Sequence, residues 1–287
     1  MTNGDDGNVS VIDGSTGTVT ATVTVGTNPW SIGVNSETNL IYVGNRGSGN
    51  VSVIDGSTNT VTATVTVGTQ PRGVGVNLVT NFIYVSNVFS SNVSVIDGST
   101  NTVTATVTLA SGPRGIGVNS TTNRIYVSND NNVSVIDGNT NTVIATIAVG
   151  TSSNPEGVNS ETNQIYVGNV VDNNISVISG LSNTVFATIS TGGSSPRSLG
   201  VNPITNRIYV AYYSGNNVVV IDGSSNTAVA TIAVGSNPNG VGVDPLTNGI
   251  YVANHGSNNV SVIDGNTNTV IATITVGSSP YAIAVNP

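Results

Sequence analysis

The chain contains no cysteine and no lysine, and charged residues of any kind are scarce. Without cysteine, disulfide bridges and thiolate metal sites are excluded. Charged residues make up 7% of the 287 positions, and six arginines stand against fourteen aspartates and glutamates, for a net charge of −8. Nucleic acids and anionic membrane surfaces require a basic partner surface. We therefore expect no nucleic-acid partner. Because no apolar run reaches roughly 18 residues, we also expect no membrane insertion.

The side chains that usually carry catalysis are equally scarce. The chain has a single histidine, His255, whereas acid–base catalysis and zinc or iron sites usually use several clustered histidines or carboxylates. No nucleophile elbow and no glycine-rich phosphate-binding loop with its lysine occurs. These absences predict a protein that is not an enzyme and has no cofactor and no metal site.

What the chain has instead is one segment repeated seven times. The copies start near residues 8, 50, 92, 132, 174, 217 and 259, at spacings of 40 to 43 residues. This period is typical of a four-stranded propeller blade. Helical periodicity is absent, and β-branched residues dominate. The sequence predicts an all-β fold, a single domain over residues 1–287, built as a seven-bladed β-propeller of four-stranded antiparallel blades.

Each copy predicts four short strands separated by turn residues. The segment Thr60–Val67 alternates valine or alanine with threonine, as expected of a half-exposed outermost strand. Val51–Ile54 and Ile83–Val85 are apolar at every position but one, which indicates strands covered on both faces. Glycine at alternate positions of Gly73–Val76 predicts close packing near the propeller axis. The recurrent Asp-Gly pairs, such as Asp55 with its glycine, predict turns rather than a shared metal site.

The sequence also resembles a known family. The motifs IYVGN (Ile41–Asn45), IYVSN (Ile83–Asn87) and PRGVGVN (Pro71–Asn77) resemble the repeats of the YVTN family of β-propellers. The resemblance covers essentially the whole chain, although glycine, serine or alanine replaces the threonine of the family motif. It implies a seven-bladed propeller of the kind found on archaeal and bacterial cell surfaces, including surface-layer proteins. It implies an extracellular or cell-surface location and no catalytic residues.

The two ends of the chain fall within one blade. Met1–Asn3 aligns with the end of a second strand, and Pro287 aligns with the residue just after an innermost strand. We expect both termini to close this last blade, which would then miss one strand. Three explanations stay open for the vacant position. The sequence is part of a longer array, a partner strand occupies the position by β-addition, or the blade collapses locally.

Differences between the copies gather in two of the four connections. The loop after the IYV motif is shorter at Ser128–Asn132, and the loop before the proline is longer at Gly192–Arg197. In a propeller both loop sets emerge on the same side, called here the top face. Tryptophan, tyrosine and arginine are common interface anchors, and we predict that those of the top face form a binding site. Drift of unconstrained loops is the alternative explanation. The predicted binding residues are Trp30, Arg72, Arg114, Arg197, Tyr212, Tyr213 and Tyr281.

The fourth copy departs most from the repeat. It places Glu156 where other copies have Val74 or Ile116. A carboxylate in an innermost strand is costly unless it is paired or hydrated. We expect Glu156 either to face the channel mouth or to meet an arginine such as Arg114 or Arg197.

These observations favour a non-enzymatic propeller that acts as a structural or adhesive module and binds a protein or a glycan on its top face. The alternative is a lyase- or lactonase-like propeller enzyme that uses Glu156, His255 and the post-proline arginines at the top centre. A third reading is a purely structural unit within a longer surface array.

Overall fold

The computed structural model describes residues 1–287 except for the side chain of Pro155, and all its regular elements are β-strands. The strands form seven antiparallel sheets, and the innermost strands of consecutive sheets pack side by side around an axis. The predicted seven-bladed β-propeller of four-stranded blades is confirmed. Blades 1 to 6 are numbered from the innermost strand that begins at Pro29, and the seventh is called the closing blade.

Each blade runs in chain order from the axis outward. The innermost strands are Pro29–Asn35, Pro71–Asn77, Ile116–Asn119, Ser153–Asn159, Pro196–Asn202 and Pro238–Asp244. The second strands are Leu40–Asn45, Phe82–Asn87, Arg124–Asn129, Gln164–Asn169, Arg207–Tyr212 and Gly249–Asn254, with Thr2–Asn3 in the closing blade. The third strands are Asn8–Asp13, Asn50–Asp55, Asn92–Asp97, Asn132–Asp137, Asn174–Ser179, Asn217–Asp222 and Asn259–Asp264. The outermost strands are Thr18–Thr24, Thr60–Thr66, Thr102–Thr108, Thr142–Ala148, Thr184–Ser190, Thr227–Ala233 and Thr269–Thr275.

The burial of each strand follows its pattern of apolar and polar residues, from the middle strands of a blade to its outer edge. The second and third strands are apolar on both faces because neighbouring blades cover them, and the tyrosines of the IYV motifs in blades 1 to 5 are fully buried. The outermost strand is half exposed: in blade 1 Val65 is buried and the threonines face solvent. A β-bulge opposite Val53 and Ile54 interrupts its alternation, so Val61 is 38% exposed.

Glycine in the innermost strands lets the blades approach the axis. A Cβ added at Gly75 would lie 2.5 Å from Ile116 Cγ2 and 2.7 Å from Val118 Cγ2 of the next blade. Those distances are below van der Waals contact, so only glycine fits without displacing the neighbouring strand. The same contact recurs in blades 1 to 6, whereas the closing blade has Ala284 at this position.

The four connections of each blade divide between two faces. The Asp-Gly turns bond to the links between the first and second strands, as in the hydrogen bond of 2.9 Å from Gly56 N to Asn39 O. The other two loop sets bond to each other, as in the bond of 3.1 Å from Val88 N to Gln70 O. The loops of variable length and composition therefore share the top face, and the constant turns form the bottom face.

The termini close the seventh blade as predicted. Thr2 N donates to Ala282 O and Tyr281 N donates to Thr2 O, each at 3.0 Å. The second strand of this blade is present only over Thr2–Asn3. A cavity of about 250 Å³, lined in part by Met1, Tyr251 and Val285, lies where the strand would continue toward the bottom face. The predicted vacancy is thus limited to part of one strand.

Candidate binding site at the top of the channel

In blades 1, 2, 5 and 6 a β-bulge at the start of the innermost strand turns one side chain toward the axis. In blade 2, Pro71 pairs with Asn87 and Gly73 pairs with Ser86, so Arg72 has no partner in the ladder. Bulges of this kind re-aim a side chain out of the sheet pattern. The same irregularity occurs in blades 1, 5 and 6, at Trp30, Arg197 and Asn239.

The re-aimed side chains surround one pocket of about 410 Å³. Residues from the innermost strands of blades 1 to 6 and from the C-terminal segment line it, so the pocket lies on the axis at the top face. Six of the seven predicted binding residues meet there, together with Asn239 and Glu156. The six are Trp30, Arg72, Arg114, Arg197, Tyr213 and Tyr281.

Arginine is concentrated at this site. Arg72, Arg114 and Arg197 line the pocket, and Arg46 joins them above the ring of Trp30. The pocket group therefore holds four of the six arginines in the chain. The two outside it, Arg124 and Arg207, form ion pairs with aspartates of their own blades.

Few carboxylates offset the charge of the pocket arginines. Arg114 lies 3.8 Å from the exposed Asp130 and donates to Ser152 Oγ at 2.8 Å. Among the described residues Arg72 and Arg197 form no ion pair, and the Nε atom of each is buried without a hydrogen-bond acceptor. Burial, and then the positive charges of neighbouring arginines, lower the pKa of Arg72 to about 10. The guanidinium groups therefore repel one another inside a partly desolvated space.

Aromatic rings hold the guanidinium groups in position. Trp30 and Tyr281 stack with their ring centroids 3.9 Å apart. The guanidinium carbons of Arg46 and Arg72 lie 4.8 and 5.4 Å from the centroid of Trp30. Arg197 lies 5.3 Å from the centroid of Tyr213. Cation–π contacts of this kind contribute about 0.5–2 kcal/mol each, and here they also limit the rotation of the arginine side chains.

Glu156 lines the same pocket but does not neutralise the positive charge of the arginines. Glu156 as a whole is partly accessible to solvent. Both of its carboxyl oxygens, however, are buried and have no hydrogen-bond partner among the described residues. Burial raises the pKa of the carboxyl well above its usual range, and nearby polar groups of Gly117 and Ser128 oppose that shift only in part. Neither expectation for Glu156 is met: its strand already starts at Ser153, and its carboxyl is buried beside Gly117 of the preceding blade, where an added Cβ would lie 3.5 Å from Oε2. The described residues show no ion pair with Arg114 or Arg197.

The prediction that Tyr212 belongs to the binding surface is wrong. Tyr212 is the last residue of its second strand and is fully buried. It occupies the position that Asn45 has in blade 1. Its hydroxyl contacts the Thr191 hydroxyl, and its ring packs under Gly193, where an added Cβ would lie 2.5 Å from the ring. Tyr212 therefore supports the loop before Pro196 and presents no surface to a ligand.

Two residues of the site were missing from the predicted set. Asn239 has the same post-proline position as Arg72, so the alignment of the copies alone could have identified it. Arg46 follows the IYV motif of blade 1, and its loop bonds to the pre-proline loop through Arg46 N and Asn28 O at 3.0 Å. His255, in the equivalent loop of blade 6, packs edge-on against Tyr281 with centroids 4.9 Å apart.

The site offers hydrogen-bond donors and positive charge rather than metal ligands. Within the described part of the chain, no three histidine, aspartate or glutamate side chains cluster closely enough to hold a metal ion.

The described residues include no helix with the length and hydrophobicity needed to span a bilayer.

Comparison with known proteins shows the fold. No known family profile matches the chain, and none of the curated proteins matches it. Among solved structures, 1585 chains match, so the architecture is too widespread to indicate a function. One of them is the hydrazine synthase of Kuenenia stuttgartiensis, which aligns with a TM-score of 0.82 at 19% identity over 90% of both chains. At that identity the likeness is one of fold alone. The chain is a seven-bladed β-propeller with a cationic pocket at its top centre.

Proposed function

We propose that this propeller is a non-enzymatic binding module that engages a protein or a glycan on its top face. The observation that carries the proposal is the convergence of six blades and the C-terminal segment on one pocket of about 410 Å³. The volume falls in the range of about 300–1,000 Å³ that is usual for ligand pockets. A rigid scaffold that presents variable loops on one face is a common arrangement for recognition.

We also propose a cell-surface or extracellular location, in a structural or adhesive role. The resemblance of the IYVGN and PRGVGVN motifs to YVTN propellers supports this location, since that family includes surface-layer proteins. The composition is compatible with it, because hydroxyl and amide side chains, rather than charges, make up most of the polar surface.

A screen against an immobilised panel of glycans and cell-envelope proteins tests the top-face proposal. Trp30→Ala removes the ring that holds two arginines, and Tyr281→Ala removes the ring stacked on it. We expect both variants to lose the ligand that the unchanged protein selects. Leu181→Ala is the matched control, because Leu181 is 91% exposed in a bottom-face turn. A ligand that both top-face variants retain, or that the Leu181 variant loses, contradicts the proposal.

We propose a second contact at the closing blade, where an extended strand of a partner chain would complete the sheet. The support is the cavity of about 250 Å³ beside Met1, whose lining includes Val9–Ile12 of the third strand and Ile283–Asn286 of the C-terminal segment. In blade 2 the equivalent space is filled by the segment Val79–Tyr84, VTNFIY. A labelled VTNFIY peptide should bind the protein, whereas a scrambled peptide should not. Equal binding of the two peptides, or of neither, argues against strand addition.

A further inference from the structure

The distribution of charge along the propeller axis is asymmetric. The chain has a net charge of −8, yet four of its six arginines gather at the top centre. The repeated aspartates lie in the bottom-face turns, where Asp13 and Asp55 accept hydrogen bonds from the backbone N–H groups of Ser15 and Ser57. Of the aspartates in the top-face loops, Asp5, Asp6 and Asp172 accept hydrogen bonds from Ser279, Ser278 and Thr151 of neighbouring loops, and Asp130 is the one that lies near a pocket arginine.

The pocket arginines differ from the other two in their partners. Arg124 lies 2.8 Å from an oxygen of Asp137, and Arg207 contacts Asp222. In the pocket, Arg72 and Arg197 have no carboxylate partner among the described residues, and Arg114 has a long contact to an exposed one. Like charges held together without counterions destabilise the folded state, so this arrangement favours an external anion.

The one carboxyl that lines the pocket does not act as an internal counterion. Both oxygens of Glu156 are buried without hydrogen-bond partners among the described residues. Burial raises the pKa of this group well above its usual range. The positive charge of the arginines therefore stays uncompensated from within the pocket.

The donors are also fixed before any ligand arrives. The rings of Trp30 and Tyr213 lie against the guanidinium groups of Arg46, Arg72 and Arg197. The buried Nε atoms of Arg72 and Arg197 are unused donors. A guanidinium group recognises a carboxylate, sulfate or phosphate through parallel N–H···O bonds, and donors that are already ordered lose little entropy on binding.

We propose that the top-centre pocket binds an oxyanion with two or more negative charges through Arg72, Arg114 and Arg197, with Arg46 at its rim. This inference rests on the proposed binding function and names the chemical class of its ligand. A recess of about 410 Å³ fits a small polyanion or a charged terminal group of a glycan better than a flat protein surface. Carboxylate, sulfate and phosphate share the chemistry, and separate probes distinguish them.

Calorimetric titration with citrate, pyrophosphate and sulfate in low-salt buffer at pH 7 tests the inference, with the neutral polyol xylitol as the control ligand. At least one of the three anions should bind, and xylitol should not. The anion that binds most tightly identifies the preferred oxyanion. Because the attraction is electrostatic, affinity should fall as salt is added. Absence of binding by all three anions at millimolar concentration overturns the inference.

Single substitutions locate the site. Arg72→Gln and Arg197→Gln replace the guanidinium group with a shorter, neutral amide, and each should weaken anion binding about tenfold or more. Arg124→Gln, which removes an arginine outside the pocket, should leave the affinity unchanged. Equal losses in Arg124→Gln and Arg72→Gln show non-specific attraction and contradict the proposed site.

Thermal unfolding separates an anion site from a structural role. Without added anion, Arg72→Gln should change the unfolding temperature little, because relief of the repulsion among arginines offsets the loss of the contact with Trp30. Added citrate should raise the unfolding temperature of the unchanged protein and not that of an Arg72→Gln, Arg197→Gln double variant. A large loss of stability in the single variant assigns Arg72 a structural role and overturns the proposal.

The anion inference and the proposed binding function can fail separately. If none of the three anions binds while the glycan panel still selects a ligand that Trp30→Ala loses, only the anion inference fails.

Discussion

Replacing Glu156 with valine should stabilise the protein, and the gain should grow with pH. Six of the seven copies have an aliphatic residue at this position, and Glu156 pairs with Val167 in the same register as Val74 pairs with Val85. The substitution therefore restores the side chain that the repeat accommodates elsewhere. It also removes two buried oxygens that have no partner among the described residues.

The expected magnitude has two parts. A buried polar group without a hydrogen bond costs about 1–3 kcal/mol, and that part does not depend on pH. The second part is proton linkage. Because the native pKa of Glu156 lies above the unfolded value of 4.5, the native state retains a proton that the unfolded state releases. The unchanged protein should then lose about 1.4 kcal/mol of unfolding free energy per pH unit above 4.5, until the pH reaches the native pKa.

Urea unfolding at pH 5, 6 and 7, followed by the fluorescence of the single tryptophan, Trp30, measures both parts. Glu156→Gln keeps the polar group but cannot titrate, so its difference from the unchanged protein isolates the linkage term. Glu161→Gln, at an exposed glutamate of the same blade, is the matched control and should keep the pH dependence of the unchanged protein. A stability difference between the Glu156→Val variant and the unchanged protein that is flat with pH, or negative, refutes the assignment of a buried, protonated Glu156.

Two further predictions concern the ring itself. Gly75→Ala should lower the free energy of unfolding in chemical denaturation by about 1–3 kcal/mol, because the new Cβ would lie 2.5 Å from Ile116 Cγ2. A loss below about 0.5 kcal/mol contradicts the packing described. A circular variant in which the sequence of Val79–Tyr84 joins Pro287 to Met1 should unfold at a higher temperature than one joined by six glycine and serine residues, because the new isoleucine and tyrosine would fill the cavity of the closing blade. Equal unfolding temperatures argue against that cavity as the missing strand position.

Gly249→Ala is the matched control for the ring substitution. The nearest atom to an added Cβ there is the Thr247 hydroxyl oxygen at 3.3 Å, and Gly249 lies in a second strand rather than in an innermost one. Its effect on the free energy of unfolding should stay within about 1 kcal/mol.

Local chemistry that repeats seven times explains why the fold could be predicted from the sequence. Alternating apolar and polar residues and short apolar runs each predict a strand, and Asp-Gly pairs predict turns. A period of about 42 residues fits one blade. Gly75 in the innermost strand predicted close packing near the axis. The structure gives the physical reason, because Ile116 of the next blade occupies the space that a side chain at this position would need. Agreement between local and global signals is expected of a consensus-like repeat.

The candidate site could be predicted only in part, because its geometry arises when the ring closes. Alignment identified the post-proline positions, but not that a bulge turns Arg72 and its equivalents toward one pocket. Tyr212 was predicted to lie in a loop because the strand was expected to end with the IYV motif, whereas the strand continues for two residues, through Ala211 and Tyr212. The raised pKa of Glu156 results from burial by neighbouring blades, which one sequence does not reveal.

A crystal soaked in tungstate gives the most direct test of the cationic pocket, because tungsten marks a bound oxyanion by anomalous scattering. The structure predicts the strongest peak on the propeller axis at the top face, within hydrogen-bonding distance of Arg72, Arg114 or Arg197. Peaks found only at Arg124 or Arg207, or no peak at the top centre, would contradict the central claim that ring closure builds an anion site there.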